Sequence, residues 1–286
     1  MNITIGVPTH NEENSIIKCL KSCVEQTLPP NEIIVVASGC TDKTVDKIRS
    51  FQTRNNIVKL ITEEKRNGKI SALNKILDSA SGDIIIHTDG DVILEANVVE
   101  LLSKYFMKYS FISAVSGRPK LIKNNSELFY RWAVKTENIL MNIKMEEFHK
   151  RKFFHICGYI FAHRNNDISS VPFVKGATDA TMGSILSKKG TIVFDPNIIA
   201  KVKHPNNVDD FIKQKARIRY GFLSLNSKQD SIRKPISELI FLKEIFKSNT
   251  FPINFGFLFI LILYLASWIK AYIWLANEAE LEEIWK

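Results

Sequence analysis

Two carboxylates flank a glycine in Asp89-Gly90-Asp91, directly after the apolar run Ile84-Ile85-Ile86. The run predicts a short buried strand, opened by Gly82-Asp83 and closed by the acidic pair. Open α/β sheets bind their ligands beyond the carboxyl ends of the strands. Two carboxylates at that edge offer hard oxygen ligands to a divalent cation, and the glycine lets backbone approach a ligand. A solvated acidic turn has the same sequence, so the pair alone does not decide. Other chemistry-bearing residues follow the same layout. Pro8-Thr9-His10-Asn11-Glu12 closes a first apolar run, Ile3 to Val7, and Ser38-Gly39-Cys40-Thr41-Asp42 closes a second, Ile33 to Ala37. Gly68-Lys69 opens a predicted helix, and Asp179 precedes another, as an N-cap or as a base.

The elements that must position these residues alternate. Strands are predicted over 3–7, 33–37, 58–62 and 84–87, and helices over 11–26, 43–51 and 70–79. That order means βαβ units and a mostly parallel sheet. Beyond residue 97 the pattern loosens, with helices expected over 98–109, 126–143, 180–188 and 208–225, and strands over 112–116, 159–162 and 191–194. Gly190 stands where helices commonly end. There is no internal repeat.

The chain has 286 residues, 45% hydrophobic and 24% charged, as a globular protein with ample core does. Its net charge of +9 suits polyanionic partners such as phosphorylated substrates or an anionic membrane. No interleaving of aromatic and basic residues supports a nucleic acid as partner. Cys19 and Cys23 lie four apart on one helix face, but no second Cys or His pair completes a zinc site, so the four cysteines read as buried thiols in a reducing compartment. The N-terminus lacks a signal-peptide layout. From Phe251 to Ile269 there is no charged residue. If Lys270 snorkels, the apolar stretch 251–276 is long enough to cross a bilayer of about 30 Å, with Trp268, Tyr272 and Trp274 as interfacial aromatics. Residues 226–250 read as an amphipathic segment lying in the membrane surface, and 277–286 as an acidic tail. Lys and Arg exceed Asp and Glu upstream of the run, which predicts a single-pass protein of the cell membrane whose large N-terminal part is cytoplasmic.

Taken in order, Pro8-Thr9-His10-Asn11-Glu12, Val35 to Asp42, Gly68-Lys69 with Ala72-Leu73-Asn74, and Asp89-Gly90-Asp91 resemble the motifs of family-2 glycosyltransferases. The resemblance covers about residues 1–225. It implies the GT-A fold, a Rossmann-like mixed, mostly parallel sheet flanked by helices, with a nucleotide-sugar-binding half over 1–95 and an acceptor-binding half over 96–225. It implies an inverting transfer from a nucleotide-sugar donor, with Mg²⁺ or Mn²⁺, to a lipid-linked or membrane-proximal acceptor. In that frame Asp91 faces the metal and Asp89 the nucleotide, while Pro8, Glu12, Ser38, Asp42 and Lys69 border the nucleotide. Asp179, in Gly176-Ala177-Thr178-Asp179, matches the general base. His204 matches a histidine near the metal, and Gly158 lies in a segment, 158–164, that lines the acceptor site. Gln214 and Arg217 resemble the start of a Q-x-x-R-W stretch that meets acceptor or phosphate.

The chain departs from the family at two places. Ala37-Ser38 replaces an acidic pair, and a neutral hydroxyl reads a base differently from a carboxylate. Ile218 replaces the tryptophan of the Q-x-x-R-W stretch, which counts against a processive polymer synthase. Two alternatives stay open from the residues. A nucleotidyltransferase would also use an acidic pair on an α/β sheet, although Thr9-His10-Asn11-Glu12 is not the glycine-rich basic loop such enzymes place after the first strand. A non-catalytic, membrane-anchored nucleotide-sugar-binding protein would keep the fold without needing Asp179.

Overall fold

The structure, a computed structural model, describes residues 1–123, 127–151, 156–174, 176–205, 207–224 and 255–277. The segment 226–250 and all of the acidic tail but residue 277 lie outside the described residues. The elements are β1 (Ile3–Thr9), α1 (Ile16–Val24), β2 (Glu32–Ser38), α2 (Thr44–Gln52), β3 (Val58–Glu63), α3 (Gly68–Ser79), β4 (Ile84–His87), β5 (Ile93–Leu94), α4 (Val98–Lys108), β6 (Ile112–Leu121), α5 (Glu127–Arg151), β7 (Phe161–Arg164), α6 (Thr178–Ser187), β8 (Thr191–Val202), α7 (Val208–Leu223) and α8 (Phe255–Ala276).

Eight strands form one sheet in the order β3-β2-β1-β4-β7-β6-β8-β5. β1, β2, β3 and β4 are parallel, with Ile5 opposite Ile33 and Ile86. β4 meets β7 antiparallel, as do β7 with β6 and β5 with β8. The sheet is therefore mixed. β1, β2 and β4 are buried along their whole length. Their near-continuous Ile and Val runs follow from burial on both faces. Ile16, Cys19, Leu20 and Cys23 form the buried face of α1.

The described residues group into two compact units. Unit 1 comprises 1–120, 153–173 and 178–202; unit 2 comprises 121–152, 174–177 and 203–286. In unit 2, Ile139 and Ile143 of α5, Phe211 of α7, and Leu263 and Tyr264 of α8 form one core cluster, and Ala216, Tyr220 and Ala271 a second.

Several elements differ from the sequence expectation, and one expectation finds no support. α1 begins at Ile16 rather than near Asn11, because Asn11 takes a left-handed φ of 52° and cannot continue a right-handed helix. β8 runs past Phe194 to Val202 through Pro196; β5 pairs with it only at Ala200 and Lys201, leaving the proline clear of that ladder. The expected membrane-crossing helix is not met: among the described residues, no helix is long and apolar enough to cross a membrane. α8 instead buries one face, Leu263, Tyr264, Ser267 and Ala271, within unit 2.

Two buried titratable features hold the sheet together. Glu32 accepts from the Thr4 hydroxyl at 2.7 Å, the Ser81 N–H at 2.7 Å and the Ser81 hydroxyl at 2.8 Å, and pairs with Lys59 at 2.5 Å. Burial works against its charge, but Lys59, Thr4 and Ser81 outweigh it and lower its pKa to about 2. Across β4 and β7, His87 Nε2 lies 2.9 Å from His163 Nε2. His163 Nδ1 lies 2.7 Å from the Arg164 carbonyl oxygen, so it carries the proton and donates. Its Nε2 is then bare and accepts from His87 Nε2–H, which leaves His87 Nδ1 as a buried lone pair with no hydrogen-bond partner. Burial, reinforced by His163 and Lys69, pushes the His87 pKa well down, and burial lowers that of His163 to about 4.

These shifts set an acid limit on stability. Below about pH 6.5 the unfolded chain protonates histidines that the folded one keeps neutral, so stability falls as pH drops toward 4. Glu32 stabilises above its ordinary value of 4.5, and that contribution is lost between pH 4.5 and about 2. The midpoint of thermal unfolding is expected to fall through both windows, and the double variant His87→Leu/His163→Leu to flatten only the first. An unchanged pH profile in that variant would contradict the assignment.

Candidate functional site

The carboxyl ends of β1, β2 and β4 lie side by side in the parallel sheet, with Pro8 opposite Val36 and Gly6 opposite His87. The loops that follow are cross-tied. The Asn11 carboxamide oxygen accepts the Thr41 N–H at 2.8 Å, and the Glu12 N–H donates to the Thr44 hydroxyl at 2.7 Å. Both Asp42 oxygens are committed to backbone, one to the Thr44 N–H at 2.9 Å and one to the Glu13 N–H at 3.0 Å. Burial opposes the Asp42 charge, and these bonds with the Thr44 hydroxyl overcome it and lower the pKa. The Glu12 side chain accepts from the Ser15 hydroxyl at the start of α1. Asp42 and Glu12 therefore shape the loops from within.

Ser38 is buried at the end of β2, opposite Glu63 at the end of β3. Its hydroxyl accepts the Asn67 N–H at 3.2 Å and donates to Glu63. Glu63 also takes the Ser71 hydroxyl at 2.6 Å, the Asn67 amide at 3.3 Å and the Lys75 ammonium at 3.4 Å. Burial opposes its ionisation, and Ser38, Ser71 and Asn67 together with Lys75 lower its pKa. A carboxylate is thus present beside Ser38, one strand over. The sequence reading missed Glu63, although an acid at a strand's carboxyl end is the signal that singled out Asp89.

Two glycines permit close approaches. A Cβ at Gly39, where φ is 57°, would stand 2.4 Å from the Arg66 backbone nitrogen, and a Cβ at Gly90 would stand 2.5 Å from the Thr9 hydroxyl oxygen. Gly90 therefore brings the acidic loop onto the end of β1. The Asp89 carbonyl oxygen accepts the Val92 N–H at 3.1 Å and, from α1, the Cys19 thiol at 3.4 Å. The Thr88 hydroxyl donates to the Tyr159 carbonyl oxygen at 3.1 Å.

Lys69, in the first turn of α3, places its ammonium 2.6 Å from Asp89 Oδ1. Burial disfavours the ammonium, but Asp89 first, then Asp179 and Asp91, more than offset this and raise its pKa. Asp179 stands in the first turn of α6 with Oδ1 accepting the Ala180 N–H at 3.0 Å. The helix N-terminus also favours a carboxylate there. Gly158 lies against it: a Cβ at Gly158 would stand 3.4 Å from Asp179 Oδ2. Unit 1 thus gathers Lys69, Asp89, Asp91, Asp179 and Gly158 around one cation and three carboxylates.

Among the described residues, no three His, Cys, Asp or Glu side chains converge closely enough to hold a metal ion by themselves. Hard cations of the Mg²⁺ type use one or two carboxylates and take their remaining ligands from substrate phosphates and water. An all-oxygen pair such as Asp89 and Asp91 fits that mode.

His204, Gln214 and Arg217 belong to unit 2. His204 is buried, its Nδ1 donating to the Pro205 carbonyl oxygen at 2.9 Å and its ring 5.6 Å from that of Tyr130; burial lowers its pKa. Gln214 and Arg217 lie on α7. Arg164, which ends the Gly158 segment, donates to the carbonyl oxygens of Phe106, Tyr109 and Ile112, clamping the end of α4 to β6.

The profile of the family described as Glycosyl transferase family 2 matches residues 4–169. Over 287 residues the chain is 26% identical to the dolichyl N-acetyl-alpha-D-glucosaminyl phosphate 3-beta-D-2,3-diacetamido-2,3-dideoxy-beta-D-glucuronosyltransferase of Methanococcus voltae, covering 96% of this chain and 84% of that protein. It is 33% identical over 128 residues to glycosyltransferase GlyA of Streptococcus pneumoniae, which is 45% of this chain but only 18% of that relative. Among solved structures it resembles the mannosyltransferase PcManGT of Pyrobaculum calidifontis in complex with GDP-Man and Mn²⁺ (TM-score 0.62, 17% identity, 95% of this chain and 87% of that one). S. aureus TarS 1-349 in complex with UDP follows at a TM-score of 0.54 and 17% identity, with 90% and 74% covered. The structural likenesses establish a shared fold, and the profile covers more than half of the sequence. The chain belongs to glycosyl transferase family 2 and is a glycosyltransferase.

Proposed function

We propose that the protein is an inverting glycosyltransferase that moves one sugar, with a divalent cation, to a lipid-linked or membrane-proximal acceptor on the cytoplasmic side of a membrane. The observation that carries this reading is the meeting of Lys69, Asp89, Asp91 and Asp179 in unit 1. A nucleotide-sugar diphosphate leaves well only when its charge is met. A Mg²⁺ or Mn²⁺ ion on Asp91 and the two phosphates would supply Lewis-acid stabilisation of the departing diphosphate. Lys69 pairs with Asp89, which is assigned to the ribose or nucleotide. Pro8, Glu12, Ser38 and Asp42 border the base and ribose through the loops described above. Ser38, oriented by Glu63 and the Asn67 N–H, presents oxygen lone pairs rather than a negative charge.

Inversion is a single displacement, so one carboxylate must take the proton of the acceptor hydroxyl as its oxygen attacks the anomeric carbon. Asp179 is suited to this role. It stands at a helix N-terminus, which favours a carboxylate, and Oδ1 accepts the Ala180 N–H. Gly158 leaves room beside Oδ2. His204 is assigned beside the cation, and Gln214 and Arg217 to the acceptor or its phosphate, Arg217 through its planar guanidinium. The dolichyl-linked substrate in the name of the Methanococcus voltae relative supports a lipid-linked acceptor, and the GDP-Man and Mn²⁺ bound to PcManGT support the donor class and the cation.

A panel of nucleotide sugars, assayed with Mn²⁺ or Mg²⁺ and polyprenyl-phosphate-linked acceptors, tests the reading. With the donor so identified, Asp179→Asn is expected to lower kcat by about two to four orders of magnitude while donor affinity holds. Full transfer by that variant would remove Asp179 as the base. Asp91→Ala is expected to abolish the cation dependence of donor binding in calorimetry and to leave less than about 1% of the rate. Wild-type turnover in Asp91→Ala would overturn the metal assignment.

A further inference from the structure

Seven of the thirteen large hydrophobic side chains exposed among the described residues lie on α8. They form one stripe. Ile262, Leu265, Ile269 and Ile273, 52–62% exposed, recur every three or four residues, with Phe259 and Tyr272 beside them. The opposite face is occupied by protein. Leu263 and Tyr264 pack with α5 and α7, and Ala271 with Ala216 and Tyr220 of α7. The Arg219 guanidinium lies over the rings of Tyr264 and Trp268, at 5.0 and 5.1 Å, and Lys270 reaches Asp209 of α7 at 3.9 Å. Acyl chains all around the helix would have to replace these charged and polar contacts, so α8 has one face for protein and one for something apolar.

The surroundings say what that is. Lys213, Lys215, Arg217 and Arg219 lie on α7 and Lys270 on α8 itself, with Asp209 shared between Lys213 and Lys270. Trp268 and Tyr272 stack at 5.7 Å where stripe and inner face meet. An apolar stripe edged by aromatics and set in a cationic region matches the boundary between acyl chains and anionic headgroups. We propose that α8 docks unit 2 flat onto an anionic lipid bilayer, its outer stripe in the acyl boundary, and does not cross it. The inference deepens the membrane-proximal reading above, and nucleotide binding reports on the donor site separately, so the two can fail independently.

The full chain tests it by flotation with vesicles of phosphatidylcholine, with and without phosphatidylglycerol. Binding is expected with the anionic vesicles and about tenfold or more weaker to neutral ones. Ile262→Ser/Leu265→Ser/Ile269→Ser is expected to lose about tenfold or more of the vesicle binding. Its affinity for UDP or GDP, whichever the wild type binds, should stay unchanged. Asn277→Cys, just beyond α8, is expected to react with a membrane-impermeant maleimide added outside the vesicles, read by peptide mass spectrometry to separate it from Cys40. The proposal is overturned if the triple variant floats as the wild type does, or if neutral and anionic vesicles bind alike. It is equally overturned if Asn277→Cys is protected, as in a crossing helix. A stripe that instead pairs two copies, seen as a dimer that the triple variant dissolves while neither form floats, would also overturn it.

Discussion

Three carboxylates in one corner of unit 1 repel one another, and the arrangement depends on the charge that balances them. Among the described residues, Lys69 supplies that charge. It contacts Asp89, in the loop after β4, and its pKa is raised by Asp89, Asp179 and Asp91. Among the described residues the count here is one cation against three anions. A site left net negative attracts a further cation, which is the condition a diphosphate donor requires, since both anionic partners then share the ion. Lys69 thus feels both Asp89 and Asp179, so the proposed nucleotide contact and the proposed base share one side chain.

Around this corner much of the polar chemistry is spent on shape. Asp42 gives both oxygens to backbone N–H groups, Glu12 receives Ser15, and Arg164 gathers three carbonyls at the end of α4. Asp42 and Glu12 thus act by fixing the loops at the carboxyl ends of β1 and β2. Ser38 shows the other side of that economy. Its family counterpart is acidic, yet a carboxylate still stands one strand away in Glu63, turned onto Ser38, Ser71 and Asn67. Charge at this edge is carried by Glu63 rather than by Ser38.

The parallel half of the sheet was legible because burial on both faces writes itself as uninterrupted Ile and Val, and because Gly and Pro mark the ends of those runs. The position of Asp89 was legible for the same reason: it follows β4 on the sheet edge where Pro8 and Ser38 stand at the ends of β1 and β2. What the sequence hid depends on contacts distant along the chain. Asn11 opens the helix predicted over 11–26, but Thr41 holds it in a left-handed loop. Ile93 and Leu94 become a strand only because β8 offers them a partner. The run ending at Ala276 is apolar on every side, so periodicity alone could not reveal that α7 and α5 occupy one of its faces.

The discontinuity of unit 1 carries a consequence for how the molecule is made. β4 finishes at His87, but the strand that covers its free edge, β7, starts at Phe161, and the chain passes through α5 of unit 2 before reaching it. During synthesis Ile84-Ile85-Ile86 waits with its backbone donors and acceptors open on that side while more than seventy further residues are added. Such an edge is a template for wrong pairing. Residues 1–95 therefore cannot be excised as an N-terminal fragment without exposing an unpaired, wholly apolar edge strand. The sheet beside Asp89 and Asp91 is closed only when β7, the returning segment of unit 1, pairs with β4.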